Sequence, residues 1–129
     1  MDSLLEAAIS ARSRAHAPHS DYSVGAAIET EDGSIILGCN VESASYGLTI
    51  CAERVAVTAA ISQGHRSFKR LAVASRNKAT LCGACRQIIW ELCGDIPITL
   101  VDESGNETLT SAGALLPEPF DSSKLKKKK

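Results

Sequence analysis

The sequence predicts a three-layer α/β/α sandwich around a five-stranded mixed sheet. Three observations carry that expectation. Strand-like and helix-like stretches alternate through most of the 129 residues, as they do when strands are joined across helices. The Asp32-Gly33 pair between two apolar runs marks a tight hairpin, so one strand pair is antiparallel. The stripe Ala52, Val55, Ala56, Ala59, Ala60 repeats at helical spacing and is nearly all alanine, which suits a helix enclosed by close neighbours. The length fits one domain, expected over residues 1–120, with 121–129 as a mobile basic tail.

The elements follow in order. Ser3-Leu4-Leu5-Glu6 reads as a capping box. Its helix should run to about Ala15, with Leu5, Ala8, Ile9 and the Arg12 stem inward, before Pro18 stops it. Residues 24–28 form a strand of small side chains, which implies a close neighbour or a ligand at its backbone. Residues 35–39 return from the hairpin. The polar stretch 40–49 is a loop, and an extended backbone there puts Asn40 and Glu42 on one face. A second helix spans 51–63 and closes at Gly64. Residues 71–74 are a short buried strand. A third helix covers 83–93, with Cys85, Ile88, Ile89 and Leu92 on one stripe. Strands at 97–101 and 107–109 flank a turn at Ser104-Gly105-Asn106, and Ser111 caps a short helix ending near Leu116.

Composition narrows the function. With 44% hydrophobic and 22% charged residues, the chain can bury a core and is not disordered. It has no apolar run of membrane-span length, and its N-terminus lacks the basic flank of a signal peptide, so a cytoplasmic protein is expected. Five of the fourteen basic residues lie in the last six positions, leaving nine against fifteen acidic ones. A body of that sign repels a phosphate backbone, so no nucleic-acid partner is expected. Five cysteines do not make a disulfide framework. Cys39 and Cys93 read as small buried hydrophobes.

The remaining three cysteines carry the chemistry. Cys82-Gly83-Ala84-Cys85 places two sulfurs on one turn, and Cys51 opens another helix. Helix N-termini favour thiolates. Three thiolates suit zinc and leave its fourth position open for water. They also overcompensate the ion's charge, and Arg54 is placed to hydrogen-bond a thiolate and withdraw density, with Gln87 as a second amide donor. Glu53 lies about 200° round a regular helix from Cys51, so it reads as a proton carrier rather than a ligand. Two other readings stay open at this point: a structural zinc knot with a further ligand, and a redox dithiol. Spacing favours the catalytic zinc.

These motifs together resemble the cytidine deaminase family, in its small homotetrameric form. The resemblance covers nearly the whole chain. It runs through Ala17-Pro18-His19-Ser20-Asp21-Tyr22-Ser23-Val24-Gly25-Ala26-Ala27, Asn40-Val41-Glu42-Ser43-Ala44-Ser45-Tyr46, Cys51-Ala52-Glu53-Arg54, Cys82-Gly83-Ala84-Cys85-Arg86-Gln87, and Leu115-Leu116-Pro117 with Phe120. It implies one zinc per chain on Cys51, Cys82 and Cys85, with Glu53 as proton shuttle. It further implies that Asn40 and Glu42 hold the ribose hydroxyls and that the Ala52 backbone meets the base. Tyr22 stands where the family usually has Phe, and Phe120 approaches the base from a neighbouring subunit of a homotetramer. The implied reaction is hydrolytic deamination of cytidine and 2'-deoxycytidine in pyrimidine salvage. The chain departs from the family at Leu81, usually proline, at Ser43 and Ser45, and in a short 76–80 loop. Leu81 leaves the backbone freer and raises the expectation of a pocket open to N4-substituted cytidines. A deaminase of a modified cytosine nucleoside, blasticidin-type or N4-substituted, is therefore the alternative enzyme. A non-catalytic zinc-stabilised binding protein is the alternative outside enzymes, and it has no use for Glu53.

Overall fold

The structure, a computed structural model, describes residues 2–125. The lysine run 126–129 of the expected tail lies outside the described residues. Strands β1 (Gly25–Thr30), β2 (Ile35–Cys39), β3 (Phe68–Ala74), β4 (Pro97–Val101) and β5 (Glu107–Ser111) form a single sheet in the order β2-β1-β3-β4-β5. β1 is antiparallel to both β2 and β3, β3 is parallel to β4, and β5 returns antiparallel. Only β3 and β4 are parallel neighbours, because the crossover from β2 to β3 skips over β1.

Helix α1 (Ser3–Ala11) covers one face, packing Leu4, Leu5 and Ala8 on Ala27, Ala72 and Val101. Helices α2 (Ala52–Ser62) and α3 (Gly83–Cys93) cover the other, over Ala26, Ile28, Leu71 and Val73. The alternation of Ala26 and Ile28 against Ala27 is the pleat dividing one strand between two cores. The small residues expected to admit a close neighbour do so on both faces. A Cβ built on Gly25 falls 2.1 Å from the Ala8 carbonyl oxygen, and one on Gly38 falls 2.4 Å from the Ala52 oxygen and 2.5 Å from the Ala56 nitrogen. The backbones of α1 and α2 therefore sit directly on the sheet.

Several local expectations change. Helix α1 is capped by Asp2 rather than Ser3: its Oδ1 accepts from the Leu4 N–H at 2.8 Å. Arg70 holds that cap, donating to Asp2 and, at 2.6 Å, to Glu29. The helix stops at Ala11 and tightens into a 3₁₀ turn over Arg12–Arg14. The chain must then extend, since His16 bridges to Val41. Leu4 and Ala11 are buried where Ile9 was expected, and Ile9 is exposed. In α2, Val57 and Glu53 join the buried set, because sheet and α3 enclose the helix on two sides. In α3, Leu92 turns outward. Cys39 and Cys93 are half-buried rather than buried. Even so, burial pushes the Cys93 thiol up to about 12. The last helix, α4 (Ala112–Leu115), is capped by Ser111, whose Oγ accepts from the Ala114 N–H at 3.1 Å.

Candidate active site

The N-termini of α2 and α3 meet on one face of the sheet. Cys51 and Cys82 are the residues immediately before these helices, and Cys85 lies in the first turn of α3. Their sulfurs converge within 4.8 Å of one another, with Cys51 Sγ and Cys82 Sγ 3.6 Å apart. This is a zinc donor set. Among the described residues no histidine or carboxylate joins the group, which leaves a fourth ligand position unclaimed by protein. His65, the nearest alternative by sequence, sits beyond the far end of α2 beside Asp32.

The thiols and their neighbours already handle negative charge. Hydrogen bonding with Cys85 holds the Cys51 thiol down to about 5, against the opposing effect of burial and with help from Cys82 and Arg54. The same sharing with Cys51, together with burial, pushes Cys85 up. Arg54 Nη2 lies 3.9 Å from Cys51 Sγ and 3.3 Å from the Thr49 carbonyl oxygen. Its Nε is buried without a hydrogen-bond partner among the described residues. A cationic donor left in this position favours anionic sulfur beside it.

Glu53 is the carboxylate of the site. It is only 4% exposed. Burial raises its pKa, the Cys51 thiolate adds to the rise, and its own backbone N–H and the Cys85 thiol partly offset it. With Cys51, Ala52 and Cys82 it lines a cavity of about 220 Å³ that Val24 and Asn40 also face.

A second cavity of about 300 Å³ adjoins the first at Thr49 and is lined by Ser20, Glu42 and Tyr46. Asn40 and Glu42 thus face neighbouring cavities. Asn40 is tied to the strand entry: its Oδ1 accepts from the Val24 N–H at 2.9 Å and its Nδ2 donates to the Tyr22 carbonyl at 2.8 Å. One amide hydrogen and one oxygen lone pair remain for a ligand. Glu42 accepts from the backbone N–H groups of His19 at 3.0 Å and Ser20 at 3.1 Å, and from the Ser20 hydroxyl. The Ser20 hydroxyl is the main reason its carboxyl lies below the usual range.

Tyr22 lines the first cavity, donates its hydroxyl to Asn77 and carries the Arg76 guanidinium 5.4 Å from its ring centre. Phe120 is 52% exposed and lies outside both cavities. Gln87 turns away from the thiols: its amide donates to Glu91 at 2.7 Å and to the Phe120 carbonyl at 2.5 Å. Leu81 is buried in the core rather than facing the cavity. Sequence reasoning missed Thr49 and Ser75 in the cavity wall and the fork made by Arg86. Only Arg86 carried a signal, its place beside Cys85.

Comparison with known proteins agrees with this geometry. A family model described as the cytidine and deoxycytidylate deaminase zinc-binding region matches residues 1–99. The cytidine deaminase of Sporosarcina psychrophila is 43% identical over 123 residues, 93% of this chain and 90% of its own length. That of Halalkalibacterium halodurans is 44% identical over 120 residues, 91% of each. The crystal structure of cytidine deaminase from Burkholderia pseudomallei matches with a TM-score of 0.89 at 45% identity, over 93% of this chain and 100% of that one.

Proposed function

Because this chain belongs to the cytidine and deoxycytidylate deaminase family, we propose that it hydrolyses cytidine and 2'-deoxycytidine to uridine and 2'-deoxyuridine with release of ammonia. One observation carries the reading: a carboxylate buried in a cavity wall against three convergent thiols. A structural zinc knot gains nothing from such a group, since burying a carboxylate is costly.

Zinc, held by Cys51, Cys82 and Cys85, supplies a Lewis acid that makes water nucleophilic near neutral pH. The chain's own residues do the rest. Water oxygen adds to C4 of the base while Glu53 takes one water proton and delivers it to N3. Glu53 then takes the remaining hydroxyl proton and passes it to the amine, so that the C4–N bond breaks to release ammonia and the C4 carbonyl forms. Its raised pKa suits repeated proton uptake and release. Arg54 offsets the sulfur charge. The Ala52 backbone, Tyr22, Asn40 and Glu42 hold the nucleoside so that C4 stays beside Glu53.

We assign the enzyme to pyrimidine salvage in the cytoplasm. Three reduced thiols suit a reducing compartment, and no helix among the described residues is long and apolar enough to cross a membrane. We assign it a homotetrameric state with Phe120 reaching a neighbour's base. Tyr46 and Leu48 stand 78% and 70% exposed near the second cavity, and Phe120 is exposed as well, apolar side chains available for subunit contact. The deciding experiment is an absorbance assay of cytidine, deoxycytidine and N4-methylcytidine with zinc-loaded protein, run beside sedimentation. Turnover of the first two by a species near four times 13.6 kDa is expected. An inert protein, or one acting on N4-methylcytidine alone, defeats the substrate assignment; a fully active monomer defeats the assembly.

A further inference from the structure

Arg86 follows the last thiol ligand, yet the chemistry above gives it no task. Its guanidinium makes three directed contacts. Nε donates to the Leu81 carbonyl at 2.8 Å, Nη1 to the Leu115 carbonyl at 3.1 Å, and Nη2 to Thr80 Oγ1 at 3.4 Å. Two of these acceptors belong to the irregular stretch that leads into Cys82, and the third lies at the end of α4. Thr80 lines the substrate cavity, and so does Ala79.

This wall has little else to hold it. Residues 78–82 adopt no regular secondary structure. The Ala79 N–H donates to Ser75 Oγ at 2.9 Å, and the Leu81 side chain anchors in the core. The planar fork of an arginine can hold several acceptors in one arrangement, which a lysine cannot. Gln87 repeats the pattern one residue on, since its amide binds the Phe120 carbonyl. Successive side chains at the start of α3 therefore face the C-terminal segment, and Arg86 alone also grips the cavity wall.

Resting on the deaminase reading above, we infer that Arg86 is a positioning residue for the substrate cavity. It staples the 79–82 wall to the C-terminal segment and sets the wall before substrate enters. Neither Thr80 nor Ala79 changes protonation during the reaction, Cys82 would be held by the metal itself, and Glu53 and Cys51 are held from α2, to which Arg86 makes no hydrogen bond among the described residues. A loosened wall thus weakens ground-state and transition-state binding alike, and such a loss raises KM without lowering kcat.

The test compares the parent with Arg86→Gln and the milder Arg86→Lys. Zinc content should match the parent in both. For Arg86→Gln, KM for cytidine should rise about tenfold while kcat stays within about threefold. Arg86→Lys should show a smaller rise, because one ammonium holds fewer acceptors. Hydrogen exchange followed by mass spectrometry should quicken at 78–82 and 113–120 and stay unchanged in α2. An unchanged KM, a loss confined to kcat, or loss of zinc overturns the inference. If the parent fails to deaminate cytidine, the deaminase reading falls on its own, and exchange still decides the staple: unchanged protection at 78–82 in both variants rules it out. If Arg86→Gln does not fold, Arg86→Lys decides by the same measurements.

Discussion

Two glutamates eleven positions apart in the chain occupy opposite environments in adjoining cavities. Glu53 is sealed at the start of α2, and burial raises its pKa. Glu42 is half-buried on the rim, and the Ser20 hydroxyl with two backbone N–H groups lowers its pKa. One environment favours the protonated carboxyl more than water does, because burial penalises the charge. The other makes a permanent anion. Carboxylates driven apart in this way divide their roles between acid–base chemistry and fixed hydrogen bonding. On the function proposed above, the deep end does chemistry and the rim does recognition, and each end can be broken separately.

The largest effect is expected at the deep end. Glu53→Gln removes the proposed proton carrier and leaves the three thiols in place. kcat should fall by roughly 10²–10⁴-fold or more, since the same group serves several proton transfers. Zinc content and the unfolding midpoint should stay near those of the parent. Near-parental turnover would dissolve the distinction between the two glutamates.

A paired glycine experiment separates the ends by packing. Gly38→Ala drives a methyl group into the α2 backbone beside Ala52 and Ala56. Overpacking of this kind costs about 1–3 kcal/mol, and the strain falls on the turn carrying Glu53. Stability by urea unfolding and kcat should therefore drop together. Gly47→Ala, in the rim turn Tyr46–Leu48, meets nothing within 4 Å and should change stability by less than about 0.5 kcal/mol. Equal losses in both variants would show that the deep end is no more tightly built than the rim.

The deep end was far more legible in the sequence than the rim. Cys51, Glu53, Arg54, Cys82 and Cys85 fall within short motifs at helix starts, so local geometry nearly places them. The alanine stripe likewise announced an enclosed α2, although not that Gly38 is what it presses on. The rest of the site depends on contacts between distant segments. Asn40 reaches the Tyr22 carbonyl across 18 positions, and Arg86 reaches Leu115 across 29. No periodicity encodes such pairs. The expectation that Gln87 serves a thiolate failed for the same reason, because its partner arrives from the C-terminal segment. The α1 cap slipped by one residue because Asp2 gains from Arg70, a strand residue no local pattern connects to it.

On the rim, Glu42→Gln should act on binding alone. Replacing a carboxylate by an amide weakens charge-assisted hydrogen bonds to sugar hydroxyls, and KM for cytidine should rise about tenfold with kcat little changed. A kcat loss comparable to that of Glu53→Gln would mean that the rim anion takes part in chemistry.

The smallest effect concerns pH, and its sign follows from the direction of the Glu42 shift. The folded-state pKa of Glu42 is lowered, while an unfolded glutamate titrates near about 4.3. Its contribution to stability is therefore present above that unfolded value and disappears as pH falls through the lower folded value. Because the group is solvated, the contribution is modest and screened by salt. The stability difference between parent and Glu42→Gln should be constant from neutrality down to about pH 5 and shrink toward zero below about pH 4. In the parent, the amide resonances of His19 and Ser20 should shift with a midpoint below that of a free glutamate, since both N–H groups donate to this carboxylate. The Gln variant should show no such titration. A parent midpoint above about 4.3 would place Glu42 in the same class as Glu53, and the rim would then hold a second titrating acid instead of a fixed anion.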